Sequence, residues 1–93
     1  MKTPTSKEID AEVKKLKAMK PTVRKTSLFG DNHHDAIDAQ IDVLKNRMSE
    51  DYAEGCYEDY EDNVRDAVRD AAQWMAGEEV DSTPSESWKS LVR

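Results

Sequence analysis

One cysteine, one phenylalanine, three glycines and three prolines stand in a chain of 93 residues. No stretch approaches the ~20 consecutive apolar residues of a membrane span. Each shortage excludes something. A lone Cys56 forms no internal disulfide, so nothing points to an oxidising compartment. Three glycines leave little scope for a phosphate-cradling loop, and no P-loop, G-x-G-x-x-G or G-x-S-x-G pattern is present. The polar N-terminus lacks the apolar core of a secretory signal, so a soluble, cytoplasmic protein with no membrane partner is the expectation. Leu, Ile, Val and Phe together number only 15. With 37% charged residues and a net charge of −6, the composition lies near the edge of disorder. Any fold is thinly cored, and a partner or a second copy of the chain is expected to contribute stability.

What the sequence has in quantity is charge, and it is segregated. Residues 1–25 hold eight Lys/Arg against three acids, whereas residues 26–93 hold six against 17. The run "SEDYAEGCYEDYED" at 49–62 carries seven carboxylates and no basic residue. Such asymmetry speaks about partners, not about fold.

Apolar spacing predicts an all-α fold, a small bundle of three main helices at about 5–19, 32–47 and 59–76, with short helical turns near 50–54 and 84–92. Thr5 with Glu8 forms a capping-box signature, Ile9, Val13 and Leu16 follow at helical spacing, and Pro21 stops the helix. Leu28 and Phe29 are the apolar points expected to pin the following connection to the core. Ile37, Ile41, Leu44 and Met48 make one stripe, and Val64, Ala67, Val68, Ala71 and Met75 make another, which Tyr57 and Tyr60 extend upstream. Ser49 is placed to cap the third helix and Gly55 to end it, while Gly77 is placed just past the end of the fourth. Thr83, Pro84 and Glu86 give a further capping signature before Trp88, Leu91 and Val92. Residues 1–77 are thus expected as a helical domain, and 78–93 as a polar linker and tail docked through Trp88, with stacking on Trp74 as one way to dock it.

His33 and His34 among Asp31, Asp35 and Asp38 suggest a metal site, with His34 and Asp38 one helical turn apart. A closed zinc site wants four ligands, and no H-x-x-x-H, E-x-x-H or Cys pair supplies them. The same residues serve a helix start, where Asp31 or Asn32 caps and the following aspartates meet the positive end of the dipole. Cys56 lies among Glu54, Glu58 and Asp59, which disfavour a thiolate, so a small half-buried filler is expected there. Catalytic residues, cofactors and metals are therefore expected to be none, and the chain is read as no enzyme.

The acidic residues carry the functional expectation. Asp31, Asp35, Asp38 and Asp42 step by four, three and four along one helix, and Asp62, Asp66 and Asp70 do likewise on another. Carboxylates so spaced stand ~5–6 Å apart along the axis and resemble a phosphate backbone. The expected protein-binding surface joins Asp31, Asp35, Asp38 and Asp42 to Glu50, Asp51, Tyr52, Glu54, Tyr57, Glu58, Asp59, Glu61 and Asp62. Its partner would be a nucleic-acid-binding protein. A plainer reading makes these faces solvated, with Arg65 and Arg69 pairing locally to Glu61, Asp62 and Asp66. One alternative function is direct nucleic-acid binding through Lys14, Lys15, Lys17, Lys20, Arg24 and Lys25. It lacks base-contacting partners, and a net acidic domain is unlike a typical binder. The other is a structural or oligomeric accessory role without mimicry, including a homodimer.

The runs "LFGDNHHDAIDAQIDVL", "SEDY", "AAQWMAGEE" and "PSESWKSLV" resemble small acidic proteins of phages, plasmids and other mobile elements. The resemblance implies a cytoplasmic accessory protein acting on host defence or replication machinery. It carries over no activity and no functional residue.

Overall fold

A computed structural model of the chain describes residues 3–92. Met1, Lys2 and Arg93, which enter the expected domain limits and the charge count, lie outside the described residues. Among these residues four α-helices form the fold: α1 (Ser6–Met19), α2 (His33–Lys45), α3 (Glu50–Cys56) and α4 (Asp62–Met75). Short 3₁₀ turns at Lys20–Thr22 and Glu86–Leu91 complete it, so the chain is a small all-α bundle. Among the described residues the only extended pairing is two isolated bridges, Val23 with Val92 and Thr26 with Asn32.

Local chemistry starts the helices where polar caps stand. The Thr5 hydroxyl accepts the Glu8 amide at 3.2 Å, Asn32 Oδ1 accepts that of Asp35 at 3.1 Å, and Ser49 Oγ that of Tyr52 at 3.3 Å. α4 begins at Asp62, not 59, because Tyr57–Tyr60 close a turn of their own through Tyr60 N–H to Tyr57 C=O at 3.1 Å. Gly77 ends α4 in the left-handed region at φ 80°, with Glu78 N–H reaching Gln73 C=O and Gly77 N–H reaching Trp74 C=O. A Cβ at Gly77 would also meet the Thr3 side chain at 2.9 Å. Gly55 does not end α3, which runs on to Cys56 and stops on Tyr57 without a positive φ.

α2 is the central element, packed on α1 at one side and α4 at the other, with α3 laid against α4. The core contains Leu16, Val23, Ile37, Val43, Leu44, Val64 and Val68, with alanines 36, 39, 53, 67, 71 and 72 permitting close approach. On α2 the buried face is wider than the expected stripe. Ala36, Ala39, Gln40 and Val43 are buried, whereas Ile41 and Met48 are half-buried. The Cα radius of gyration, 12.3 Å, matches the ~12 Å of a folded chain this long, tail included.

The tail docks as follows. Trp88 is buried, its ring centroid 5.7 Å from that of His33, and its indole N–H donates to Gln40 Oε1 at 2.7 Å. It does not stack on Trp74, which instead packs half-buried at the edge of the core. Gln40 in turn donates to the Ala67 carbonyl at 3.0 Å, so one amide ties tail, α2 and α4. Glu12 on α1 is also buried, and its carboxylate accepts the Ser85 amide at 2.9 Å and the Ser85 hydroxyl at 2.8 Å.

The expected anchoring by Leu28 and Phe29 is wrong: both side chains stand fully in solvent. They occupy the middle of a turn closed by Gly30 N–H donating to Ser27 C=O at 3.1 Å, and that geometry points them outward. Val23, fully buried, pins the connection instead.

Candidate protein-binding surface

The two histidines act on the backbone. His33 Nδ1 donates to the Arg24 carbonyl and His34 Nε2 to the Val23 carbonyl, each at 3.0 Å. A carbonyl only accepts, so those ring nitrogens carry the protons. The pair thus straps the connection onto the start of α2. Among the described residues no three His, Cys, Asp or Glu side chains converge as a metal would require. Cys56 is exposed rather than half-buried, because it falls on the outer side of the last turn of α3.

The expected aspartate row on α2 is broken up. Asp31 precedes the Asn32 cap and belongs to the loop, its amide donating to Ser27 Oγ. Asp38 pairs with Lys20 at 2.8 Å. Asp42 accepts the Tyr57 hydroxyl at 2.8 Å and the Asn46 side-chain amide at 2.7 Å. Burial and then the Asp42 hydrogen bond push the Tyr57 phenol well above its usual range. Tyr57 therefore closes the α2–α3 seam and is no surface anchor. On α4, Asp62 pairs with Arg65 and Asp66 with Arg69. Arg69 also holds Glu54 at 2.8 Å, and that contact raises the guanidinium pKa. Partial desolvation, then the Asp66 and Asp81 carboxylates, raise Asp70 against the opposing pull of Arg69. Glu50 accepts from Gln73 Nε2 at 3.1 Å.

Arithmetic of pairing thus sorts the expected surface. Asp38, Asp42, Glu50, Glu54 and Asp62 are engaged within the chain. Asp35, Asp51, Glu58, Asp59 and Glu61 are exposed and, among the described residues, form no ion pair. Three of these line one cleft without closing on a common point. Asp35 from the first turn of α2 meets Asp59 and Glu61 from the α3–α4 turn around a cleft of about 270 Å³, with Tyr60 and Val64 on its wall. Tyr60 is half-exposed and lies edge-on to Tyr57 at 4.8 Å, so its ring is held from behind while its outer edge faces solvent. Tyr52 is more exposed still, on the outer side of α3.

The basic residues are less gathered. Lys20 is tied to Asp38 and Lys15 reaches Glu12 at 3.5 Å, while Lys14, Lys17, Arg24 and Lys25 are exposed. Local neutralisation accounts for two of the six.

Sequence reasoning missed Glu12 and Gln40, both nearly or fully buried. A signal was present. Glu12 stands three residues after Ile9 and four before Leu16, and Gln40 stands likewise between Ile37 and Leu44, so each occupies a core position of its stripe. A polar residue there requires a buried partner.

No helix among the described residues is long and apolar enough to cross a membrane. Compared with protein-family models, with curated proteins and with solved structures, the chain matches none.

Proposed function

We propose that the chain is a non-enzymatic protein-binding module whose contact surface is the unpaired acidic cleft around Tyr60. Its partner is a nucleic-acid-binding protein, and the acidic surface around the cleft enters that protein's basic groove. One observation carries this reading: Asp35, Asp59 and Glu61 come from two separate elements to line one cleft and, among the described residues, form no ion pair, while Asp38, Glu54 and Asp62 are engaged within the chain. Unpaired like charges brought together weaken a fold and favour a cationic partner. The exposed rings of Tyr60 and Tyr52 supply the amphipathic area that interface cores favour. Glu58 and Asp51 extend the field on either side. The resemblance to small mobile-element proteins suggests a host protein as the target.

The test is capture on the immobilised chain, with duplex DNA as competitor. A nucleic-acid-binding protein should be retained and be displaced by DNA. The triple change Asp35→Asn, Asp59→Asn, Glu61→Gln should abolish retention while the helical circular dichroism stays unchanged. Undiminished retention by that variant overturns the assignment of the surface.

A further inference from the structure

Leu28 and Phe29 are 102% and 92% exposed, an extreme for two large apolar side chains side by side. The loop that displays them is built, not slack. Ser27 N–H donates to the Asp31 carbonyl at 3.0 Å, and Ser27 Oγ accepts the amides of Phe29 and Asp31 at 3.2 and 3.3 Å. Gly30 takes the left-handed conformation, φ 86°, that the turn requires. Below the turn Thr26 bridges Asn32, the Lys25 carbonyl accepts the His33 amide at 2.8 Å, and the two histidine rings hold the next two carbonyls. The two apolar side chains add nothing to this network. The backbone that carries them is ordered when the chain folds, so a contact has only the two side chains' rotamers left to fix, as in a preorganised knob.

A matching hollow lies close by. Between α1 and the terminal 3₁₀ turn is an open cleft of about 440 Å³, lined by the apolar groups of Ala18, Met19, Thr22 and Val92, by the buried Ser85, and by Lys15, Lys89 and Glu86. Val92 bridges Val23, from which the loop departs, so knob and cleft are separated only by the short stem 24–26. The knob does not fill the cleft of its own chain, since Leu28 is wholly in solvent.

We propose that a second copy of this chain covers both. Across a two-fold axis, the Leu28–Phe29 tip of each protomer enters the α1/3₁₀ cleft of the other. Reciprocal exchange closes the assembly, whereas a single contact would leave a knob and a cleft open at each end. Two such contacts bury on the order of 1,200 Å², the low end for a specific interface, so the dimer dissociates in the micromolar range or above. The stem carries Arg24 and Lys25, and the cleft carries Lys15 and Lys89 against the single carboxylate of Glu86, so both sides are net basic. Apolar contact therefore drives association and salt does not weaken it. This surface is distinct from the acidic cleft, and the inference does not depend on the proposed function.

Sedimentation equilibrium of the full chain, from about 10 μM to about 1 mM, tests it. The expected result is a monomer–dimer equilibrium that persists as salt is raised. Leu28→Ser/Phe29→Ser should weaken it at least ten-fold, and so should Ala18→Lys, which fills the cleft from an exposed helical position. Mixing the two variants should restore part of the association, because one intact knob then meets one intact cleft. Circular dichroism confirms that each variant is folded. A chain that stays monomeric throughout, or a dimer indifferent to both changes, overturns the proposal. So does tip-dependent binding of a monomeric chain to phosphatidylserine vesicles, which would give the knob to a lipid surface.

Discussion

The connection from α1 to α2 and the tail after α4 are both short, polar and irregular, and each carries one large aromatic ring. The tail buries its Trp88 to 7% exposure, while the connection leaves Phe29 at 92%. Hydrophobicity does not explain the difference. Position within a hydrogen-bonded framework does. The tail's polar groups are served by the core itself: Glu12 receives Ser85, and Gln40 receives the indole N–H. The connection's polar groups are served by one another and by two histidines at its base, so its turn stands clear of the core and carries its apolar residues outward. An aromatic ring in a polar segment enters the core when the core offers the segment's backbone a partner.

The sharpest way to break this comparison is at Trp88. Trp88→Ala removes a buried ring and leaves Gln40 Oε1 without its donor. A loss of about 3–5 kcal/mol in denaturant unfolding is expected, a large fraction of what a domain of this size has. A loss below about 1 kcal/mol would mean that the tail is a fringe and that core burial decides nothing there.

Glu12 comes next. Glu12→Ala strands the Ser85 amide and hydroxyl inside the protein, at a cost of about 1.5–3 kcal/mol. Because Glu12 and Trp88 hold the same segment, the double variant should lose less than the two single losses combined. Additivity would show that the two anchors work independently.

The places where sequence reasoning succeeded and failed follow from the same contrast. Thr5, Asn32, Ser49 and Gly77 act through bonds to residues three to five positions away, so their roles are written locally. The stripes of α1 and α4 are legible because helical periodicity alone sets which side chains share a face. For Leu28 and Phe29 composition points to the core, whereas the turn around them depends on Ser27, Gly30 and Asp31 acting together. Gly55 has the composition of a helix stop, yet nothing there demands a positive φ. In the candidate site, the acidity of 49–62 was plain. Its division into engaged and unpaired carboxylates was not, since it depends on Arg65, Arg69 and Gln73 of α4 meeting Asp62, Glu54 and Glu50. The meeting of Asp35 with Asp59 and Glu61 is likewise a property of α2–α4 packing and of no local pattern.

Tyr57 offers an intermediate case, a ring in an irregular segment whose polar tip finds Asp42. Tyr57→Phe should cost about 0.5–1.5 kcal/mol, because Asp42 keeps its bond from Asn46. The pH dependence has a definite sign. Burial and Asp42 raise the phenol's pKa in the folded state, so above about pH 10 the unfolded chain releases a proton that the folded chain retains. Stability should therefore fall as pH rises through that value, and fall less steeply in Tyr57→Phe. Equal slopes would place the phenol outside the seam.

The smallest effect is expected where the comparison predicts none. Leu28→Ser and Phe29→Ser, singly or together, remove side chains that lie almost wholly in solvent. The turn beneath them uses backbone and Ser27, which both variants keep. At concentrations where the chain is monomeric, the free energy of unfolding should change by no more than about 0.5 kcal/mol in either direction. Gly30→Ala is the matched control, since it keeps the apolar pair but imposes a Cβ at φ 86° and so should destabilise the turn by about 1 kcal/mol. If instead serine at 28 and 29 costs more than alanine at 30, the tip is held by its own core after all. The two aromatic rings would then differ in degree, not in kind.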